Sequence, residues 1–227
     1  MTVHRIAVSR RTLVLATTLA CAPLLHAAQP PRVLFKTSAG DFTIEVYPDA
    51  APKTVANFLQ YVRDGHYDGT LFHRVIPTFM VQGGGYDANY KEKPTRAPVE
   101  HEGRAALAKH GLRNVVGTVA MARTNDPDSA TSQFFINVAD NPFLDPVPIP
   151  DGDPVPQFDY QGHSYRNVPR AQLLATPQLY GYTVFGKVVA GMDVVQKIKA
   201  GPTGAGGPFR TDVPRTPILI QSATLVK

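Results

Sequence analysis

Three segments combine polar and apolar residues in patterns able to bind or to catalyse: Leu71–Gly84, Gly117–Arg123 and Ser132–Asn137. Each sets polar side chains among apolar, strand-forming ones. Buried Arg and Gln groups are costly unless hydrogen-bonded. If Arg74, Gln82 and Gln133 share one surface with Phe79, Met80 and Phe135, they make an apolar groove with a few directed donors. Such a groove suits a ligand that is mostly apolar and has one polar atom to be read. Spacing by itself leaves open, and slightly favours, a plainer arrangement in which the apolar residues are core and Arg74 is a surface charge.

Other chemistries lack their residues. There is no Gly-x-x-x-x-Gly-Lys phosphate loop, no Gly-x-Ser-x-Gly elbow and no His-Glu-x-x-His pair. His101 and His110 fall in a polar stretch read as a loop, without the spacing of a second metal ligand. Asp126 and Asp128 flank Pro127 and read as solvated turn acids. Gly83-Gly84-Gly85 has no helix after it, so it reads as backbone passing close to a neighbour rather than as a phosphate cradle. No metal or cofactor is expected.

The strands and helices that would hold these residues are short. Arg32–Ser38 and Asp41–Pro48 alternate apolar and polar residues about Ala39-Gly40, which predicts a β-hairpin. Pro52–Asp64 places Val55, Phe58, Leu59 and Val62 at helical spacing, with Pro52 suited to a first turn and Gly65 to the end. Leu71–Ile76, Phe79–Gln82, Val115–Ala122, Gln133–Val138, Tyr182–Val189 and Thr216–Val226 read as strands. Met192–Lys199 reads as a second helix stopped by Gly201-Pro202. About eight short strands and two helices predict a mainly β chain, a closed barrel with helices over its ends. Pro146–Gly181 interrupts the pattern with seven prolines in 36 residues. It reads as a solvated surface excursion or as a lid beside a groove, with one helical turn near Ala171–Leu174.

Composition narrows the class. The 227 residues are 43% hydrophobic and 18% charged, values that exclude a wholly disordered chain. One cysteine, Cys21, rules out an internal disulfide or a cysteine zinc site. The net charge of +5 is concentrated at the start. Without Arg5, Arg10 and Arg11, 20 basic residues face 18 acidic ones, and no basic patch suggests nucleic acid. Residues 1–28 have the layout of a cleavable secretory signal: a basic start, the uncharged run Leu13–Leu25, and a small-residue exit at Ala27-Ala28. The apolar run is too short to span a bilayer. Arg10-Arg11 resembles a twin-arginine export signal, and Leu19-Ala20-Cys21 a lipoprotein attachment site. The expectation is a mature chain from residue 29, exported to the periplasm and not stably inserted in a membrane, with lipid anchoring through Cys21 as the alternative.

These segments resemble the cyclophilin family of peptidyl-prolyl cis–trans isomerases, and most closely its exported bacterial, periplasmic A-type branch. Phe-His-Arg-Val-Ile-Pro-x-Phe-Met-Val-Gln-Gly-Gly, Ser-Gln-Phe-Phe-Ile, Asn-Pro-Phe-Leu-Asp and Val-Phe-Gly-Lys-Val follow one another in the family's order between Val33 and Val226. The resemblance implies an eight-stranded antiparallel barrel capped by two α-helices, with an active groove on its outer wall. Residues 29–227 would form one domain carrying the 146–181 insertion. The resemblance also implies roles. Arg74 takes the catalytic arginine position, and Gln82 orients it. Phe79, Met80, Phe135 and Leu144 wall a proline pocket, and Gln133 is a polar groove residue. Ala122 and Arg123 offer main-chain groups to the peptide. Phe143, which would line the proline pocket beside Leu144 or else be a plain core residue, stands where many eukaryotic members have Trp, and Tyr182 where they have His. The missing indole predicts weak cyclosporin binding. The implied substrates are X-Pro bonds of unfolded or partly folded proteins. A cyclophilin-fold module that binds Pro-containing segments with little or no turnover is the other reading.

Rotation about an X-Pro bond breaks no covalent bond. Its barrier of ~18–20 kcal/mol comes from lone-pair delocalisation into the carbonyl. A catalyst must therefore favour the twisted amide over both planar forms. A permanently charged Arg donor can bond the nitrogen only once twisting has made it an acceptor.

Overall fold

The computed structural model describes residues 29–226; the expected signal segment lies outside the described residues. Thirteen strands form: β1 Arg32–Thr37, β2 Gly40–Val46, β3 Thr70–Leu71, β4 Arg74–Ile76, β5 Met80–Gly83, β6 Thr118–Met121, β7 Phe134–Asn137, β8 Val155–Tyr160, β9 His163–Val168, β10 Val184–Ala190, β11 Thr203–Gly206, β12 Phe209–Pro214 and β13 Leu219–Leu225. The helices are α1 Pro52–Arg63, α2 Gly103–His110, α3 Arg170–Leu174 and α4 Met192–Ala200.

Nine strands make one antiparallel sheet in the order β3-β13-β1-β2-β10-β6-β7-β5-β4. Its two ends, β3 and β4, are arms of a single segment, 70–76, separated by Phe72-His73. Counted as one bent strand, that segment closes the sheet on itself with eight strands. The backbone adds to the closure where Leu71 N donates to Tyr86 O at 2.8 Å. The three glycines after Gln82 let this happen: a Cβ on Gly83 would lie 2.8 Å from the Phe72 ring and 2.9 Å from Leu71 O.

Alternation divides the sheet. Val33, Phe35, Phe42, Ile44, Val75, Val81, Val119, Phe134 and Ile136 point inward and are fully buried. Phe35 and Phe42 are cross-strand partners with rings stacked at 5.1 Å, and Phe58 of α1 meets Phe185 at 5.0 Å. Helix α1 has Pro52 in its first turn but Ala51 before it, so it has no side-chain cap of its own. The Glu102 carboxylate supplies one from a distance, accepting from Thr54 N at 2.8 Å and Thr54 Oγ1 at 2.7 Å. Helix α4 packs Val194 against Gly40, where a Cβ would come within 2.9 Å of it and φ is +128°.

Two expectations need correction. The stretch around His101 and His110 is not simply a loop, because Gly103–His110 is helical, ending at Gly111 in the left-handed region. The insertion is neither structureless nor limited to one helical turn. Strands β8 and β9 form a hairpin, α3 follows, and Val155, Leu173 and Leu179 make a small core of their own with Ile149 and Phe158 packed on it. Prolines hid this pattern, since most sit at its joints and Pro156 interrupts the period of β8.

Candidate active site

The site lies on the outer wall, on side chains that the pleat turns away from the barrel interior. Arg74 of β4 is the registered partner of Gln82 on β5, and Gln82 of Phe135 on β7. Phe135 in turn pairs with Ala120 on β6. Met80, Ala120, Phe135, Leu144 and Val184 form a second buried cluster outside the barrel, with Phe79, Ala122 and Tyr182 packed against it. A groove of about 160 Å³ opens over this cluster, lined by Arg74, Phe79, Met80, Gln82, Ala122, Arg123, Phe135, Leu144 and Tyr182.

The polar groups are relayed. Arg74 is exposed, and its Nη1 reaches Gln82 Oε1 at 3.5 Å, a long contact. Gln82 Nε2 donates to Gln133 Oε1 at 3.0 Å. Gln133 is pressed on Gly85, where a Cβ would fall 2.5 Å from its side chain. The carboxamide of Gln82 thus turns its oxygen to Arg74 and its nitrogen to Gln133. No carboxylate pairs with Arg74 among the described residues. A free cation with unused N–H groups therefore stands at the edge of an apolar wall.

The remaining predicted residues are placed as follows. Tyr182 meets Phe135 edge-on at 5.5 Å. Arg123 lies with Cζ 4.6 Å over the Tyr182 ring. Its Nε and Nη2 donate to Gly181 O at 2.9 and 2.8 Å. Gln133 O accepts from Ala122 N at 2.9 Å. Phe143 does not line the groove with Leu144. It stands at the rim, 54% exposed, stacked on Phe79 at 5.6 Å. The alternative in which Phe143 is a core residue is thereby removed.

Several positioning residues were missed in the sequence. Asn137 Nδ2 donates to Thr118 Oγ1 at 2.9 Å and to Asn114 Oδ1 at 3.2 Å. Asn141 Nδ2 donates to Phe79 O at 3.0 Å and to Asn137 Oδ1 at 2.8 Å. Asn114 Nδ2 donates to Leu144 O at 3.1 Å, and the Asp145 carboxylate accepts from Asn114 N at 2.7 Å. This buried network ties the backbone of Phe79 to that of Leu144, on two sides of the pocket. The signals available were Asn137, a polar residue closing an apolar strand, and Asn141 and Asp145 at the two ends of Asn-Pro-Phe-Leu-Asp. His101 was also missed. Its Nε2 contacts Gly181 O at 3.3 Å, and burial, then the Arg123 charge, hold its imidazole down at about 4.

A profile of the family described as "Cyclophilin type peptidyl-prolyl cis-trans isomerase/CLD" matches residues 32–225. The chain belongs to the cyclophilin family. Two cyclophilin relatives agree with it along nearly their whole length. "Peptidyl-prolyl cis-trans isomerase A" of Dickeya dadantii is 45% identical over 92% of this chain and 91% of its own. "Peptidyl-prolyl cis-trans isomerase B" of Escherichia coli is 44% identical over 85% of this chain and 98% of its own. The A and B designations match almost equally, so identity does not choose between these cyclophilin branches. A crystal structure of a Cryptosporidium parvum cyclophilin type peptidyl-prolyl cis-trans isomerase shares the fold, with a TM-score of 0.57 over 87% of this chain at 21% identity. As a cyclophilin, the chain is a peptidyl-prolyl cis-trans isomerase.

Proposed function

We propose that this isomerase turns X-Pro bonds in the groove between Arg74 and Phe135, on unfolded or partly folded proteins outside the cytoplasm. The observation that carries the site assignment is the unpaired Arg74 cation held beside the apolar pocket by the Gln82–Gln133 relay. The pyrrolidine ring sits against Phe79, Met80, Phe135 and Leu144, and the preceding carbonyl swings. As the nitrogen pyramidalises, it becomes an acceptor for an Arg74 N–H, a bond that both planar forms lack. Ala122 and Arg123 hold the peptide through their main chain. NMR exchange on an Ala-Pro tetrapeptide with the chain from residue 29 tests the reading. A folded protein that leaves the exchange rate unchanged would overturn catalysis in favour of a binding module.

Export rests on the layout of residues 1–28, and membership of the A-type branch on the family resemblance, with Phe143 and Tyr182 in place of Trp and His. N-terminal sequencing of envelope-fraction protein should begin at Ala28 or Gln29. An intact Met1 in the soluble cytoplasm would sink export, and a lipid-modified Cys21 would replace a free periplasmic protein by an anchored one. Arg10-Arg11 replaced by Lys-Lys should stop export if the route is twin-arginine.

A further inference from the structure

Beside the proline groove lies a second cleft of about 540 Å³, lined by Arg123, Thr124, Asn125, Pro177, Gln178 and Tyr182. Arg123 and Tyr182 line both spaces, so the cleft continues the groove. One wall is the loop after β6. The other is the last turn of the insertion, which gives the insertion a part in the site. That wall is held in place. Leu179 is fully buried in the insertion's core and its carbonyl accepts from Val147 N at 3.0 Å. Gly181, two residues on, is bonded by Arg123 and His101.

The lining is built to receive an anion. Arg123 is the charged side chain in it, and a guanidinium has five N–H groups. Nε and Nη2 donate to Gly181 O, and Nη1 to Thr124 O, which leaves two free. No carboxylate pairs with Arg123 among the described residues. The two nearby acids are engaged away from it: Asp126 Oδ1 accepts from Asp128 N at 3.0 Å and Asp128 Oδ1 from His101 N at 2.8 Å. Asn125 and Gln178 are exposed on the two walls, and each brings a carboxamide N–H donor. We propose that this cleft takes an acidic side chain of the same polypeptide substrate, so that the enzyme favours X-Pro bonds with Asp or Glu close by. The proposal rests on the isomerase reading of the adjoining groove. Arg123 supplies the charge that would select the acid, and Gln178 a donor from the opposite wall.

The test uses NMR exchange on peptides centred on Ala-Pro. Glu, Gln or Lys is placed in turn at the two positions before the alanine and the two after the proline. At one position, Glu should be turned over about three- to fivefold faster than Lys at low salt, with Gln between them. The ratio should shrink toward one in 1 M NaCl. Gln178→Glu, which places a carboxylate opposite Arg123 and cancels the charge of the lining, should bring it close to one, and because the readout is a ratio, any change common to both peptides cancels. A Glu/Lys ratio of one at all four positions, with the parent peptide still isomerised, overturns the proposal and leaves the isomerase standing. So does a preference that Gln178→Glu leaves untouched, since the acid would then be read elsewhere. A parent peptide that is not isomerised overturns the groove reading itself.

Discussion

Arg74 combines a permanent charge, a solvent-exposed position and a single long contact to Gln82. If its main bond forms only in the twisted amide, Arg74→Ala should lower kcat/KM by one to three orders of magnitude, while peptide Kd changes far less. A lost interaction of ~3 kcal/mol in the transition state corresponds to roughly a hundredfold in rate. Near-normal turnover by a folded variant would return the chain to the binding-module reading. Phe143 supports a second expectation at this scale. It keeps an aromatic face on Phe79 but has no indole N–H, so cyclosporin inhibition should be weak. Phe143→Trp, at this exposed rim, should raise sensitivity at least tenfold with activity retained, since a donor lost from a desolvated contact costs about 1–3 kcal/mol. Unchanged sensitivity would shift the cause to shading by the insertion, checked in a shortened chain. Both side chains were legible in the sequence because the residue types and their order were distinctive. Phe143 facing the rim rather than the pocket was not, because the short helical turn Pro142–Leu144 sends adjacent side chains in different directions.

Among the elements, the insertion is the one with its own core, separate from the two clusters of the barrel. Its hairpin strands pair only with each other. Its ends meet: a Cβ on Gly181 would lie 2.4 Å from Pro146 N. Removing 147–180 and closing the gap with a short Gly-rich turn should therefore leave a cooperatively melting barrel. The shortened barrel would lack three interactions: the Arg104 cation over the Tyr180 ring at 4.1 Å, the Arg104 Nη1 bond to Leu174 O at 2.8 Å and the edge-on contact of His101 with Tyr180 at 5.3 Å. At ~1–2 kcal/mol together, their absence should lower Tm by about 3–8 °C in calorimetry. An insoluble product, or one without a single transition, would make the segment part of the main core. The barrel strands, α1 and α4 were readable from periods of two and near 3.6 residues. Helix α2 has its apolar residues in one consecutive run, Ala105–Ala108, and so offered no such period.

For the whole molecule, acid stability turns on buried imidazoles. His73 is 3% exposed, stacked on Phe209 at 5.4 Å and set edge-on against Tyr86 at 4.7 Å, so it fastens β12 to the barrel. Burial, with a smaller push from the Arg74 charge, holds its imidazole down at about 4. The unfolded chain takes up that proton near pH 6.5 and the folded one does not. Stability from this group is thus fully present above pH 6.5 and is lost as pH falls toward 4, by up to about 3 kcal/mol. Urea titrations at pH 7 and pH 4.5 should show a clear drop in midpoint for the native chain and a smaller one for His73→Phe, which keeps the ring and removes the titration. Equal drops would show that His73 does not carry the effect. His101 adds to the native slope in the same direction.

Strand and helix periods, the order of the family's segments and the identity of the groove's polar side chains were all set in the one-dimensional chain. Those features reside in residue type and local spacing, so one dimension suffices to see them. The remainder came from the folded arrangement. Closure of the barrel through the bent segment 70–76 depends on which strands meet at its ends. Orientation of Gln82 depends on Gln133, 51 residues away, and support of Phe79 on Asn141, 62 residues away. The folding of a proline-rich insertion around Leu173 and Leu179, and its placement as a wall beside Arg123, likewise depend on distant parts of the chain meeting. Packing and hydrogen bonding act through space, and no local period records which distant residue will arrive to complete them.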